Sequence, residues 1–134
     1  MNTHPYLRAY MAGIVVPTVF LLVVMTGFAL ARFVYDVSIP IERVIAFPMA
    51  VVPNMWGVWN VLRVAAAGDR WPIGLHGALL PLVLMPLGLL LARTFAIDVI
   101  TPALLAVFAP FAIAVYYLAW KYLVGHFNAV LGVA

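Results

Sequence analysis

The chain has no cysteine, which excludes a disulfide framework and any thiolate metal site. Charge is nearly as scarce. Lys+Arg number 7 and Asp+Glu 4 in 134 residues, 8% of the chain, where an ordinary soluble domain carries about 25%. There is one serine, Ser38, in the outer turn without an obvious base, so nucleophilic catalysis is poorly supported. No Lys/Arg cluster exists to form a nucleic-acid footprint, and the net charge of +3 is not read as one. What the chain does have is apolar matter, at 68%. So short a chain has too much surface to hide that from water, and so apolar a one does not stay disordered. It reads as an integral membrane protein.

Charges punctuate the sequence at regular intervals. None falls between Arg8 and Arg32, Arg43 and Arg63, Arg70 and Arg93, or Asp98 and Lys121. Each interval is long enough for the roughly 20 apolar residues that cross a bilayer. Within lipid the backbone must bond to itself, and the alternation of a barrel strand is absent, so each interval predicts a helix. The expected spans are 9–33, 43–65, 73–94 and 101–124. The first is longer than the roughly 7–15 residues of a signal-peptide core and reads as a span. Prolines fall inside all of them (Pro17, Pro48, Pro53, Pro81, Pro86 and Pro110) and read as kinked packing, with a hinge lining a site as the sharper alternative.

Orientation follows the basic residues of the loops. Both termini and the middle loop share Arg8, Arg63, Arg70 and Lys121 with the single acid Asp69; the opposite side holds Arg32, Arg43, Arg93, Asp36, Glu42 and Asp98. Both termini are therefore expected on the cytoplasmic side of a plasma (inner) membrane.

The chain also resembles itself. Gly27-Phe-Ala-Leu-Ala-Arg32 matches Gly88-Leu-Leu-Leu-Ala-Arg93, and after one inserted residue Phe33, Asp36, Val37, Pro40, Pro48 and Ala50 align with Phe95, Asp98, Val99, Pro102, Pro110 and Ala112. Ten of 24 pairs are identical. Gly13-x-x-x-Pro17 likewise resembles Gly77-x-x-x-Pro81, and Gly57-Val-Trp-Asn60 resembles Gly125-His-Phe-Asn128 if the second copy holds about six more residues. With two helices per copy, both hairpins enter from one side. The expected fold is an all-α, single membrane domain over 1–134, made of hairpins 9–65 and 73–130 related by a pseudo-twofold along the membrane normal. The shared outer turn is expected to be structural: Arg32 and Arg93 suit helix C-termini, Asp36 and Asp98 cap or pair locally, and Pro40 and Pro102 start helices. Gly13, Gly27, Gly77 and Gly88 are expected at close helix seams.

No charged residue lies in the middle of a span, which argues against a proton-coupled exporter. The first-span carboxylate on which small four-helix multidrug exporters depend is missing. The densest polar-aromatic segment is Pro53-Asn-Met-Trp-Gly-Val-Trp-Asn60-Val-Leu-Arg63. Helical spacing puts Trp56, Asn60 and Arg63 on one face. Asn54 and Asn60 either orient a polar ligand group or, for Asn54, join helices across a small-residue contact. Most Trp and Tyr side chains fall in the half of the spans nearest the termini, and Trp56, Trp59, Tyr116 and Tyr117 are candidates to line a cavity there, the alternative being a thick interfacial belt. His76 and His126 are the candidate metal or haem ligands, but no pair has i, i+4 spacing and they read as interfacial.

The function expected from these features is a channel or passive transporter for a neutral or apolar solute, acting as a homo-oligomer, a dimer in the simplest case. The alternatives are a non-catalytic accessory subunit with a membrane-protein partner and a haem- or metal-binding protein using His76 or His126. The sequence calls for no cofactor and supplies no recognisable enzyme site.

Overall fold

The computed structural model describes residues 3–38, 41–67, 70–98 and 100–133, leaving aside the side chains of 41–48 and 67. Pro40, Asp69 and Val99, and the side chains of Glu42, Arg43 and Pro48, lie outside the described part. The described residues form helices and connecting turns with no strand among them. Helix α1 runs Pro5–Phe33, α2 Ile41–Leu62, α3 Ile73–Thr94, α4 Pro102–Leu118 and α5 Gly125–Val130. Short π-helical segments continue α2 over Arg63–Ala67 and join α4 to α5 over Ala119–Val124. The last three pieces make one rod, Pro102–Val130. That rod, α1 and α3 are long and apolar enough to cross a membrane, and the molecule is an integral membrane protein. Compared with the expected spans, α1 begins four residues early and the final rod ends six residues late, while 73–94 coincides with α3.

The helix ends follow from local backbone chemistry. Asp36 has φ 52 and Ala96 φ 55, the left-handed conformation that stops a helix. Val37 N–H then closes back on Ala31 O at 2.9 Å, and Ile97 N–H on Ala92 O at 2.8 Å. The part Asp36 plays at this end is thus carried by its backbone, where a side-chain cap was expected. At the start of α4, Thr101 Oγ1 accepts from Leu104 N–H at 3.2 Å and Pro102 takes the first helical position, where its missing N–H leaves nothing unsatisfied. The helices continue through Pro17, Pro81, Pro86 and Pro110.

Helix α1 packs along α2, and α3 along the α4 rod; the hairpins meet where α1 crosses the end of the rod and where α2 approaches α3. Small residues decide which faces touch. The buried residues Ala9, Gly13, Pro17 and Leu21 recur every four positions on α1, the i±4 ridge that lets two helices interdigitate. A Cβ at Gly13 would lie 2.6 Å from Trp56 O and 2.9 Å from Gly57 Cα, so the two backbones are in contact. At Gly77 a Cβ would collide with the Trp120 side chain, and at Gly74 with the Tyr117 ring. Gly27, expected at a seam, faces open space; the seam partner of Gly13 is Gly57. Glycine is frequent in membrane helices whether or not it meets a neighbour, and the residue type alone did not separate the two cases.

The centre is filled by Trp56, Leu80, Trp120 and Val124. All four belong to the half of the bundle that carries the chain termini. In the other half, side chains such as Val107, Phe108 and Phe111 are exposed, and α4 itself buries no residue.

Candidate functional site

Among the described residues, four polar side chains are buried: Asn60, Arg63, His76 and Asn128. They gather where the ends of α2 and α5 meet the beginnings of α1 and α3. Asn60 is fully enclosed, at 0% exposure. Its Nδ2 donates to Ala9 O at 2.7 Å and to Asn128 Oδ1 at 2.8 Å. Its Oδ1 accepts from Arg63 Nε at 3.1 Å and from Asn128 Nδ2 at 3.3 Å. Both donors and both lone pairs of one amide are used, and the bonds reach α1, α5 and the first residue beyond α2. Beside it, the His76 carbonyl of α3 accepts the Trp59 indole N–H of α2 at 2.8 Å. Helices α1, α2 and the rod therefore meet in one polar knot, with α3 tied alongside.

Above the knot lies an aromatic layer. The Trp56 ring stands 4.9 Å from Tyr116 and 5.5 Å from Trp120, centroid to centroid, both tilted. Among the described residues, the buried ring nitrogens Trp120 Nε1 and His76 Nε2 have no hydrogen-bond partner. Beside this layer, between α1 and the α4 rod, is a cavity of about 710 Å³ walled by residues that include Val16, Phe20, Val52, Leu123 and Phe127, with Trp56 and Tyr116 at its back. Among the described residues, none that lines it is charged. Its rim residues Val19, Phe20 and Val23 are exposed, so it opens sideways. Its size falls in the range of about 300–1,000 Å³ typical of small-molecule sites.

Several expected site residues come together here. Trp56, Asn60 and Arg63 do share a buried face, and Tyr116 joins them from the second hairpin. Trp59 does not line the cavity; it is held on the α3 side by His76 O. Tyr117 also turns to α3, against Gly74, with Lys121 Nζ 5.9 Å from its ring. Asn54 is exposed, accepts a short hydrogen bond from the Tyr10 hydroxyl of α1 and donates to Ala50 O at 2.6 Å, so it joins the helices of the first hairpin. His76 is buried, its ring 6.0 Å from Trp71, where an interfacial position was expected; the chain before α3 folds Trp71 over it. His126 is exposed and lies against Phe127. Among the described residues no three His, Cys, Asp or Glu side chains converge as metal ligands would.

Two members were not singled out by sequence reasoning. Trp120 looks like any interfacial tryptophan, and nothing in its neighbours marks it as fully enclosed. Asn128 did carry a signal, the match of Gly125-x-x-Asn128 to Gly57-x-x-Asn60. Comparisons of the chain with protein-family models, with curated proteins and with solved structures return no match.

Proposed function

We propose that the protein is a passive conduit or carrier for a neutral or apolar solute, built from two parallel hairpins and working as a homo-oligomer in the inner membrane. The observation that carries this reading is the ligand-sized cavity between α1 and the α4 rod, whose described lining residues carry no charge. A charged solute would lose its hydration there with nothing to replace it. Trp56, Leu80, Trp120 and Val124 fill the centre of the bundle in the half near the termini. The proposed route therefore follows the lateral cavity, and a second copy facing it would complete the wall. The sparsely buried half remote from the termini offers apolar surface for that contact.

Four crossings and the 2+2 arrangement are part of the proposal. In support, α2 has 22 residues and lies along α1; at 1.5 Å per residue it is about 33 Å long, enough for the hydrocarbon core. Gly13 against Trp56 has its counterpart in Gly77 against Trp120. The two asparagines equated by sequence bond to each other, which residues related by a twofold do only near its axis.

Both parts are testable. Because the chain lacks cysteine, single substitutions report sidedness without background. Thr3→Cys and Arg70→Cys are expected to react with an impermeant maleimide from the cytoplasmic side, and Ser38→Cys from the opposite side. Thr3 and Ser38 labelling from the same side would refute an odd crossing by α1. For function, purified protein in liposomes is expected to speed the osmotic response to at least one small neutral solute over protein-free vesicles, with no effect on ions. No flux across a broad panel of solutes would overturn the assignment.

A further inference from the structure

The two hairpins use the same frame but fill it differently. Gly13 meets the α2 backbone at Trp56 and Gly57, and Gly77, its match in sequence, meets the Trp120 side chain of the rod. That match puts Val16 of α1 level with Leu80 of α3. Between α2 and α3 the crevice is closed: Leu80 is 0% exposed, and the Trp59 indole is fixed on His76 O. Between α1 and the rod the smaller Val16 and Leu123 leave the cavity, and Leu123 is 49% exposed. One crevice is thus filled with protein and its counterpart is left for something else. An apolar gap inside a bilayer does not stay empty, because its walls would forfeit their dispersion contacts.

Dimensions and charge identify the occupant. The lining runs from Val15 to Val23 on α1 and from Val115 to Phe127 on the rod, roughly 12 and 18 Å at the helical rise. One leaflet contributes about 15 Å of hydrocarbon. At the end nearest the termini stands Arg8, two turns before Val15 on the same face of α1. Its Nη1 donates to Leu131 O at 3.4 Å, one turn beyond Phe127, so the guanidinium ties α1 to the end of the rod on the side of the cavity nearest the termini. Arginine suits a phosphate diester because its planar fork can bind two oxygens at once. We propose that the cavity binds one hydrocarbon chain of a phospholipid from the leaflet nearest the termini, with the lipid phosphate at Arg8. A lipid chain is an apolar solute, so this names the class of molecule that the site of the preceding section takes, and it rests on that reading of the cavity.

Filling the gap provides the test. Wild type, Leu123→Trp and Val16→Leu would be purified in mild detergent, stripped of lipid, and titrated with phosphatidylethanolamine, phosphatidylglycerol or diacylglycerol under native mass spectrometry. Wild type is expected to hold one phospholipid per chain and to prefer either phospholipid over diacylglycerol by about tenfold, a difference of about 1.4 kcal/mol. Leu123→Trp is expected to lose that lipid while melting no lower than wild type, and Arg8→Gln to bind all three lipids alike. Val16→Leu, the milder change, is expected to weaken binding in the same direction, which keeps the test decisive if the tryptophan misfolds. Undiminished retention by both filling variants would overturn the proposal, and equal binding of diacylglycerol by wild type would overturn its headgroup half. Lipid retention without solute flux would leave the site standing and remove the conduit; flux that survives Leu123→Trp would place the solute route elsewhere.

Discussion

Asn60→Leu is expected to lower the stability of the detergent-solubilised protein by about 3–5 kcal/mol, because it takes hydrogen-bond partners from several buried polar groups at once, at about 1–3 kcal/mol for each and more for a charged one. A single hydrogen bond between membrane helices is worth only about 0.6 kcal/mol on average, so four ordinary bonds would not add up to that figure. The difference is Arg63. It is 6% exposed, and its Nε donates to Asn60 Oδ1. Leucine would take one acceptor away from that buried guanidinium group, and would strand Asn128, which bonds to Asn60 on both sides of its amide. Asn128→Leu should cost less, about 1–2 kcal/mol, because Asn60 keeps Ala9 O and Arg63. The double variant should then lie within about 1 kcal/mol of Asn60→Leu, since members of one network are not additive. Unfolding in a graded denaturing detergent, followed by tryptophan fluorescence, checks all three. Trp56 and Trp120, adjacent to each other in the core, supply the signal. An Asn60→Leu protein as stable as Asn128→Leu would show that Arg63 does not depend on the amide.

How much of this was legible depended on which force set each feature. Helix positions follow from where charges stop the apolar runs, and α3 begins and ends where Arg70 and Arg93 predict. Packing faces follow from something weaker. In a soluble helix the polar side marks the surface, but α1 is apolar all round, and no amphipathic stripe picks out Ala9, Gly13, Pro17 and Leu21. Small residues at i+4 spacing were the only clue, and Gly27 shows how it misleads, since a glycine with no neighbour looks the same in sequence. Of the candidate site, the face of Trp56, Asn60 and Arg63 could be read because helical periodicity within one element is fixed. Partners from other elements could not, because they depend on how deeply each helix sits. Trp120 and His76 became core residues through the crossing of α3 with the rod, a distance no local pattern encodes. The cavity was least legible of all: it arises where side chains of α1 and the rod, Val16 and Leu123 among them, fall short of filling the space between two helices, and no local pattern records a shortfall across elements.

Gly77→Ala is expected to be among the most damaging single-methyl changes in the chain. A Cβ there would overlap the Cβ and Cγ of Trp120, whose ring is fully enclosed between Trp56 and its neighbours and has nowhere to retreat. Overpacking of a filled core costs about 1–3 kcal/mol and sometimes more, and here the displaced ring would also push on the aromatic layer behind the cavity. Gly13→Ala should fall in the same range of about 1–3 kcal/mol by a different route. Its Cβ would meet the Trp56 carbonyl oxygen and Gly57 Cα, both backbone, so that α1 and α2 must move apart as rigid bodies. Gly27→Ala is the control: nothing lies within 4 Å of its Cβ, and the better helix former should leave stability unchanged or raise it by up to about 1 kcal/mol. The three variants change the same atom count in helices of the same bilayer, so membrane insertion affects them alike, and the differences isolate packing. Thermal unfolding in one detergent should rank Gly27→Ala highest and Gly77→Ala and Gly13→Ala well below wild type. If Gly77→Ala melted with wild type, α3 would not approach Trp120 as closely as the fold requires, and the closed crevice between α2 and α3 would lose its foundation.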